Sequence, residues 1–337
     1  MKLWKCILWP LAFLYGLVSW FRRWLYSAKI LQRKKVNLAT IIVGNLQVGG
    51  SGKTPMTMWL ANHLKEQFKI AILSRGYGRK TTGFREVIIS DTAENCGDEP
   101  LEMRISLPDT IKNYVCEDRV KGIHLIEEKS PETNLVLLDD GYQHLNLRGD
   151  FYILLTEYRL LFTNDLPLPA GRLREFSSAA KDANTIVVTK CPNNLNVDGE
   201  LRLFKELSKY RKPIFYTAYQ NSLPIDSAGN LLDSKVSVLL ISGLANNGVF
   251  VNWAKTNFNV TLVKTYSDHF AYSKNEMEMW IAESKKAGIN SILTTRKDAI
   301  RMPKDTAVFF AIFTSHTTPE FLFESEHKFL SLFENLR

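Results

Sequence analysis

The glycine-rich segment at residues 44–54, GNLQVGGSGKT, constrains the fold of this chain more than any other feature. A short apolar run precedes it, and a helical pattern follows it, with Pro55 suited to the first turn of a helix. Glycines let backbone N–H groups turn inward around phosphates, and the helix N-terminus adds positive potential. The segment therefore predicts a P-loop between a strand and a helix. Its predicted nucleotide-binding residues are Gly49, Gly50, Ser51, Gly52, Lys53 and Thr54.

The spacing of this segment departs from the common P-loop pattern, G-x-x-x-x-G-K-[ST]. The first glycine of that pattern falls on Gln47, and the closer variant K-G-G-x-G-K-T has lysine where Val48 stands. A chance glycine-rich turn is the competing interpretation, which the flanking strand and helix patterns disfavour. In a P-loop, Lys53 neutralises phosphate charge and the Thr54 hydroxyl binds Mg²⁺.

Two carboxylates follow a continuous apolar run, LVLL, at residues 135–138. Such a run predicts a strand buried on both faces, and open α/β sheets bind ligands at the carboxyl ends of their strands. We predict that Asp139 holds Mg²⁺, and that Asp140 points the other way, toward the acceptor or a second metal position. A turn that uses Asp-Asp-Gly for backbone reasons alone is the alternative.

Short β-rich runs alternate with helical stretches along most of the chain, which is typical of an α/β protein. We predict a P-loop NTPase-like, mostly parallel sheet flanked by helices, with a second, smaller α/β domain and an N-terminal membrane helix. The predicted units are a membrane anchor at residues 1–28, a P-loop kinase domain at 29–210 and a second α/β domain at 211–337 that closes the active-site cleft. Near the C-terminus we expect a strand at 307–312 and a final helix from about residue 319.

The apolar stretch at residues 7–21 contains no charged side chain and is followed by arginines, unlike a cleaved signal peptide. Its fifteen residues would extend about 22 Å as a helix, less than the ~30 Å hydrocarbon core of a bilayer. A buried core helix is the alternative to the membrane anchor, which we expect to be either shallow and tilted or just spanning. A basic cluster would then face anionic headgroups. Its members are Arg22, Arg23, Lys29, Arg33, Lys34 and Lys35.

The 337-residue chain has a formal net charge of +8, which indicates an acidic partner such as nucleic acid, an anionic membrane or a phosphorylated substrate. Its four cysteines are scattered and form no C-x-x-C pair. That spacing disfavours both a zinc site and a disulfide framework.

Seven segments together resemble one family, the tetraacyldisaccharide 4′-kinases of lipid A synthesis. They are GNLQVGGSGKTP (44–55), SRGYGRK (74–80), GDEP (97–100), DDGYQH (139–144), AGRLRE (170–175), SDHFAYS (267–273) and TTRKD (294–298). The resemblance implies transfer of the ATP γ-phosphate to the 4′-hydroxyl of tetraacyldisaccharide 1-phosphate, with ATP and Mg²⁺ as cofactors. It also implies a product, lipid IVA, made at the cytoplasmic face of the inner membrane.

The resemblance further implies roles for individual residues. Asp98 and His269 correspond to the catalytic Asp–His pair, in which the carboxylate takes the proton of the acceptor hydroxyl. Asp139 and Asp140 complete the predicted catalytic set, and Glu99 is a further predicted Mg²⁺ contact. The predicted phosphate- and substrate-binding residues are Arg75, Arg119, His144, Arg172, Arg174 and Glu175. In TTRKD, Arg296 stands where the family pattern has an acidic residue.

A membrane-associated P-loop ATPase or GTPase that acts as a switch or drives a partner is the alternative function. It would hydrolyse nucleotide without a lipid acceptor, and no N/T-K-x-D guanine-recognition motif is found where a GTPase carries one. For the kinase we expect a lipid-linked acylated disaccharide and a membrane surface as partners, no nucleic acid, and no obligate protein partner. The positive charge would then serve membrane and phosphate binding.

Overall fold

Two sheets, one of nine strands and one of four, organise this chain, whose computed structural model describes residues 3–336. The strands of the described residues are β1 (Ala39–Asn45), β2 (Ile70–Ser74), β3 (Arg85–Glu86), β4 (Lys112–Val115), β5 (Leu135–Asp139), β6 (Phe151–Glu157), β7 (Thr185–Thr189), β8 (Ile214–Asn221), β9 (Val238–Ser242), β10 (Val260–Thr265), β11 (Ser291–Thr295), β12 (Ala311–Ser315) and β13 (Thr317–Phe321). The helices are α1 (Leu3–Ser27), α2 (Lys53–Leu64), α3 (Ala93–Cys96), α4 (Asp98–Ser106), α5 (Arg119–Lys129), α6 (Val197–Leu207), α7 (Asn247–Asn257), α8 (Lys274–Ala287), α9 (Arg296–Ala299), α10 (Thr306–Phe309) and α11 (Glu326–Leu330).

The larger sheet has the order β13-β8-β7-β6-β1-β5-β2-β4-β3. Its pairings are parallel except at the two edges, where β3 and β13 run antiparallel to their neighbours. β2, β5 and β7 are buried along their whole length, as expected for strands covered by helices on both faces. β1 lies beside β5 with Val43 opposite Asp139, so the P-loop and the two carboxylates leave the sheet at the same edge. The predicted mostly parallel α/β fold is confirmed.

The smaller sheet is entirely parallel, in the order β10-β9-β11-β12. Its core packs α8 against one face through Met277 and Trp280, and α7 against the other through Phe250 and Ala254. Parallel neighbours need crossover connections, and α7 and α8 provide them.

The C-terminal segment differs from the prediction. The chain leaves the smaller sheet at β12 and enters the larger one as β13, which pairs antiparallel with β8, so the predicted helix from residue 319 is wrong. Pro319 is tolerated because β13 is an edge strand. The strand expected at 307–312 begins at Ala311, because residues 306–309 form α10. The boundary predicted near residue 210 stays a prediction, although β8 and β13, both beyond it, belong to the larger sheet.

The apolar N-terminal segment forms the predicted helix, α1, which contacts the rest of the chain along one narrow face. Ala12 and Gly16 are buried there, and a Cβ added to Gly16 would lie 2.5 Å from the ring of Phe176. Among residues 3–336, no helix combines the length and the apolar character needed to cross a membrane, which corrects the spanning form of the predicted anchor.

One expected headgroup contact is also corrected. Arg23 is buried rather than facing solvent, and it pairs with Glu175 at 2.6 Å and with Asp182 at 2.5 Å. Arg33 adds a 3.3 Å ion pair to Asp182. Burying the guanidinium is compensated because both of its carboxylate partners lie within bonding distance. Arg23 therefore docks α1 on the body of the protein, and Arg33 attaches the segment that follows the helix to the same aspartate.

Candidate active site

The P-loop connects β1 to α2 and has the backbone geometry that its glycines permit. Gly49 and Gly52 have φ of 116° and 84°, values that favour glycine. A Cβ on Gly52 would also lie 1.4 Å from the hydroxyl oxygen of Tyr219, so no larger residue fits. Residues 46–48, at the start of the loop, are held by backbone hydrogen bonds from Val48 N to Arg172 O (2.8 Å) and from Arg174 N to Leu46 O (2.7 Å). The AGRLRE segment thus braces the loop.

Lys53 and Thr54 begin α2 and face the carboxylates that follow β5. The Lys53 ammonium lies 3.7 Å from Asp140 and 3.5 Å from the side-chain oxygen of Asn45. The Thr54 hydroxyl donates to Asp139 at 3.2 Å. The structure therefore brings together the lysine, the hydroxyl and the two carboxylates that the sequence predicted for this site.

Asp139 is buried at the end of β5 and accepts a second hydrogen bond, from the Thr57 hydroxyl at 3.2 Å. Burial raises the pKa of its carboxyl group, and the charge of nearby Glu99 raises that pKa further. Lys53 opposes the shift. A cation at this position would stabilise the ionised carboxylate that the crowded acidic surroundings disfavour.

Asp140 is held by Arg174 rather than left free. The Arg174 guanidinium donates to both Asp140 oxygens at 3.0 and 3.1 Å and to the Gln143 side-chain oxygen at 3.1 Å. Asp140 has a φ of 53°, which an aspartate tolerates better than most residues do. Gln143 in turn donates to the backbone oxygen of Asn45 at 2.8 Å, so this network ties the β5 turn to the P-loop strand.

The half-buried His144 and the buried Arg119 form a second group beside the acidic turn. The His144 Nε2 atom accepts a hydrogen bond from the Arg119 backbone N–H at 3.1 Å, at the start of α5. Burial lowers the pKa of His144 to about 4, and the Arg119 charge adds to this effect. Burial likewise lowers the pKa of Arg119, which Asp140 partly offsets. The exposed Arg75 acts electrostatically on both residues, so these three predicted phosphate-binding residues are neighbours.

The remaining predicted binding residues have separate surroundings. Arg172 is exposed and lines a shallow depression with Gly49, Gly50 and Ser51. Glu175 is buried and accepts two hydrogen bonds from the Arg23 guanidinium of α1, at 2.6 and 2.9 Å. The visible contact of Glu175 is thus to the N-terminal helix.

Asp98 and His269 meet across the junction of the two sheets. Asp98 is the first residue of α4, and the imidazole of His269, which follows β10, places Nδ1 at 3.1 Å from Asp98 Oδ2. His269 has a φ of 58° and half of its side chain is exposed, whereas the Asp98 side chain is mostly covered. The preceding residue, Gly97, has a φ of 95° and turns the chain into α4. Two residues 171 positions apart are therefore in contact, as a shared role requires.

Two cations that the sequence did not single out complete this cluster. The Arg301 Nε atom lies 3.1 Å from Asp98 Oδ2, and Lys297 Nζ lies 3.4 Å from His269 Nε2. Lys297 and Arg301 are four positions apart, so they share one face of a helical turn. This four-residue spacing, with Lys297 inside TTRKD and Arg301 just after it, could have been recognised in the sequence. Thr57, one turn after Thr54, was likewise detectable because i and i+3 positions lie on the same helix face.

The TTRKD segment also contains a residue with a structural role, Asp298. Asp298 is fully buried and accepts hydrogen bonds from Thr295 (2.7 Å), Tyr272 (3.0 Å) and the Gly243 N–H (3.1 Å). The departure at Arg296 does not touch this network.

The donor set suits Mg²⁺ bound together with a nucleotide. Within residues 3–336, no three His, Cys, Asp or Glu side chains converge to form a cation site by themselves. Mg²⁺ does not need such a cage, because it keeps waters and is bound through one or two carboxylates plus substrate phosphates. Thr54 and Asp139 provide a hydroxyl and a buried carboxylate, and Glu99 acts electrostatically on the latter. The buried Ser51 hydroxyl has no hydrogen-bond partner among the described residues, as expected of a group that awaits a phosphate oxygen.

Comparisons with known proteins extend over nearly the whole chain. The family model for Tetraacyldisaccharide-1-P 4′-kinase matches residues 4–334. The chain is 37% identical to a tetraacyldisaccharide 4′-kinase of Flavobacterium johnsoniae over 90% of this chain and 88% of that protein. It is 34% identical to the one of Phocaeicola vulgatus over 88% and 84%.

Among solved structures, the chain is similar to the crystal structure of the "apo" form of LpxK from Aquifex aeolicus in complex with ATP. The TM-score is 0.78 at 30% sequence identity, and the match covers 98% of this chain and 99% of that chain. A likeness of this extent includes both sheets and the junction between them.

Proposed function

The chain belongs to the tetraacyldisaccharide-1-P 4′-kinase family, and from that premise we propose how its residues perform the reaction. The protein transfers the γ-phosphate of ATP to the 4′-hydroxyl of tetraacyldisaccharide 1-phosphate in lipid A biosynthesis. One observation carries the assignment of roles. Asp98 and Glu99 are adjacent in the first turn of α4, and one contacts His269 while the other acts on Asp139. The proton acceptor and the phosphate site are thereby linked through a single helical turn.

The phosphate end of the reaction belongs to the P-loop. Its backbone N–H groups and Lys53 bind the β- and γ-phosphates, and Lys53 is already oriented by Asp140 and Asn45. Thr54 and Asp139 would hold Mg²⁺, with Glu99 nearby, and Mg²⁺ supplies neutralisation of phosphate charge when bound. Arg174 keeps Asp140 in place, and Arg119 and Arg75 offer guanidinium groups for phosphate oxygens.

The acceptor end belongs to Asp98 and His269. Asp98 Oδ2 is occupied by His269 and Arg301, whereas Oδ1 has no hydrogen-bond partner among residues 3–336. We assign Oδ1 to accept the proton of the 4′-hydroxyl as that oxygen attacks the γ-phosphorus of ATP; the bond from this phosphorus to the bridging oxygen breaks and ADP leaves. The Nδ1–H of His269 donates to Asp98 and so orients the carboxylate.

We also propose that α1 rests in the interface of the inner membrane, on its cytoplasmic face. Opposite the docked stripe, α1 exposes apolar side chains that are each at least 40% accessible: Trp9, Leu11, Phe13, Leu14, Tyr15, Leu17, Val18, Trp20, Phe21 and Trp24. Such a continuous apolar surface is rare on proteins that stay in water. The acylated substrate also favours this arrangement, because each CH₂ moved into water costs about 0.8 kcal/mol.

The reaction is tested with purified protein, radiolabelled ATP and tetraacyldisaccharide 1-phosphate. We expect a 4′-phosphorylated product and nucleotide turnover that depends on the lipid. Asp98→Ala should lower kcat by orders of magnitude while ATP binding, measured by calorimetry, stays nearly unchanged. A change confined to KM would exclude the proton-accepting role. Rapid ATP hydrolysis without any acceptor would instead support the ATPase alternative, which the family comparison does not favour.

The membrane proposal is tested by flotation with anionic vesicles. Leu14→Glu and Val18→Glu place charges on the exposed face of α1 and should reduce vesicle binding and lipid turnover more than basal ATP hydrolysis. Val197→Glu is the matched control, because this residue is equally exposed but lies on α6. Unchanged flotation of both α1 variants would refute the proposed interface.

A further inference from the structure

Lys297 and Arg301 approach the Asp98–His269 pair from the smaller sheet, and neither has a role in the mechanism described above. Both follow β11, in α9 and the turn after it. The Arg301 side chain is 5% exposed and lies 3.1 Å from Asp98 and 3.6 Å from Asp298. A guanidinium so deeply buried is retained only if carboxylates compensate its lost hydration.

The guanidinium of Arg301 makes two charge contacts, with Asp298 on one side and Asp98 on the other, and its nitrogens form no hydrogen bond among residues 3–336. Asp298 is held by three hydrogen bonds from three different segments, so it is a rigid anchor. Ile300, next in sequence, packs against the apolar cluster that contains Leu101 of α4. Arg301 therefore reaches α4 from an element that itself packs against α4, and its positive charge attracts Asp98 Oδ2.

Lys297 acts on the other partner of the pair. An ammonium group can only donate hydrogen bonds, so its 3.4 Å contact with His269 Nε2 requires Nε2 to be the acceptor. The single proton of the neutral imidazole then resides on Nδ1, the atom that faces Asp98. Asp268 lies near both groups, at 3.8 Å from Lys297 and 3.9 Å from His269 Nε2, and keeps the ammonium in place.

We propose that Arg301 and Lys297 are positioning residues of the kinase: Arg301 orients Asp98, and Lys297 selects the His269 tautomer that donates to Asp98. This inference rests on the proposed role of the Asp98–His269 pair. Both cations follow a strand of the smaller sheet, whereas Asp98 lies in α4. The four side chains therefore come together only where α4 meets the smaller sheet.

The test is a pair of functional double-mutant cycles. Arg301→Ala is measured alone and in the Asp98→Ala background, and Lys297→Met alone and in the His269→Ala background. Each single variant should lower kcat between about 10-fold and 100-fold with KM for ATP within about threefold. In proteins that already lack Asp98 or His269, the same substitution should lower kcat by less than about a further twofold. The effects of two residues that act through one another are not additive.

Two additional measurements separate positioning from folding. Arg301→Lys should recover part of the kcat lost in Arg301→Ala, and the ¹⁵N shifts of the His269 ring should move toward the other tautomer in Lys297→Met. Arg104→Ala is the control, because Arg104 also lies in α4 with a covered side chain but pairs with Asp109. We expect it to retain full kcat.

The outcomes are distinguishable. Full additivity in both cycles, or an unchanged His269 tautomer in Lys297→Met, overturns the inference while leaving the role of Asp98 intact. An Asp98→Ala protein with wild-type kcat overturns both proposals together.

Discussion

His144 is a half-buried histidine whose pKa lies below its ordinary value, and its titration gives the most direct test of the site's electrostatics. Burial, with a contribution from Arg119, lowers its pKa from 6.5 to about 4. An unfolded chain therefore binds a proton at this ring between pH 6.5 and 4, whereas the folded chain does not. Stability from this group is fully present above pH 6.5 and is lost as the pH falls through about 4.

The magnitude follows from that shift. Lowering the pKa from 6.5 to about 4 corresponds to at most about 3 kcal/mol of unfolding free energy. Because the ring is only partly buried, solvent screening reduces this figure, and we expect about 2 kcal/mol. His144→Gln is the suitable perturbation, since a glutamine oxygen can still accept the Arg119 N–H but does not titrate.

The assay is urea unfolding at several pH values from 7 to 4. We expect the unfolding free energy of wild type to fall about 2 kcal/mol more than that of His144→Gln over this range. His316, whose pKa burial also lowers to about 4, provides the comparison variant His316→Gln, which should remove its own share. The raised pKa of Asp139 acts with the opposite sign but is common to all three proteins and cancels. Parallel curves for wild type and His144→Gln would refute the reasoning.

Three further predictions concern other contacts. Lys53→Ala should weaken ATP affinity and also lower kcat; calorimetry that shows unaltered ATP affinity would contradict the P-loop assignment. Gly52→Ala should abolish nucleotide binding in a folded protein, because the residue has a left-handed φ and no space beside Tyr219; normal binding would show that the loop tolerates a Cβ. Arg23→Ala leaves Glu175 buried without its main partner and should destabilise the docking of α1 by about 3–5 kcal/mol. Hydrogen exchange along α1 measures this, and unchanged protection would contradict it.

The larger sheet was predictable because its strands have continuous apolar character. The apolar run at residues 135–138, predicted to be a strand buried on both faces, is β5 with Asp139 as its last residue, and the apolar run before the P-loop is β1. Such runs can only be covered on both faces, which fixes a parallel sheet and places the P-loop beside Asp139.

The strand pair β8 and β13 escaped prediction because its partners are almost a hundred residues apart. Thr317 pairs with Asn221, and the β13 segment, TTPEF, is too polar and contains a proline, so it does not indicate a strand by itself. Pairing between distant segments is decided by the packing of Phe321 against Trp59 and Phe329, which no local pattern records. The same limitation applies to Arg23, whose carboxylate partners, Glu175 and Asp182, lie more than 150 positions away.

Asp98 lies in α4 and His269 follows β10 of the smaller sheet, so activity can be lost when these two elements move apart. Asp98 and Glu99 are adjacent in α4, so the position of the proton-accepting carboxylate of Asp98 is fixed relative to the phosphate site near Glu99. His269 follows β10, whereas Lys297 and Arg301 follow β11, so all three are carried by the smaller sheet. A substitution that changes only the distance between α4 and the smaller sheet would separate Asp98 from His269, Lys297 and Arg301 without disturbing either element. Such a protein would bind ATP normally and transfer phosphate slowly, since a displacement of about 1 Å can cost about 100-fold in rate.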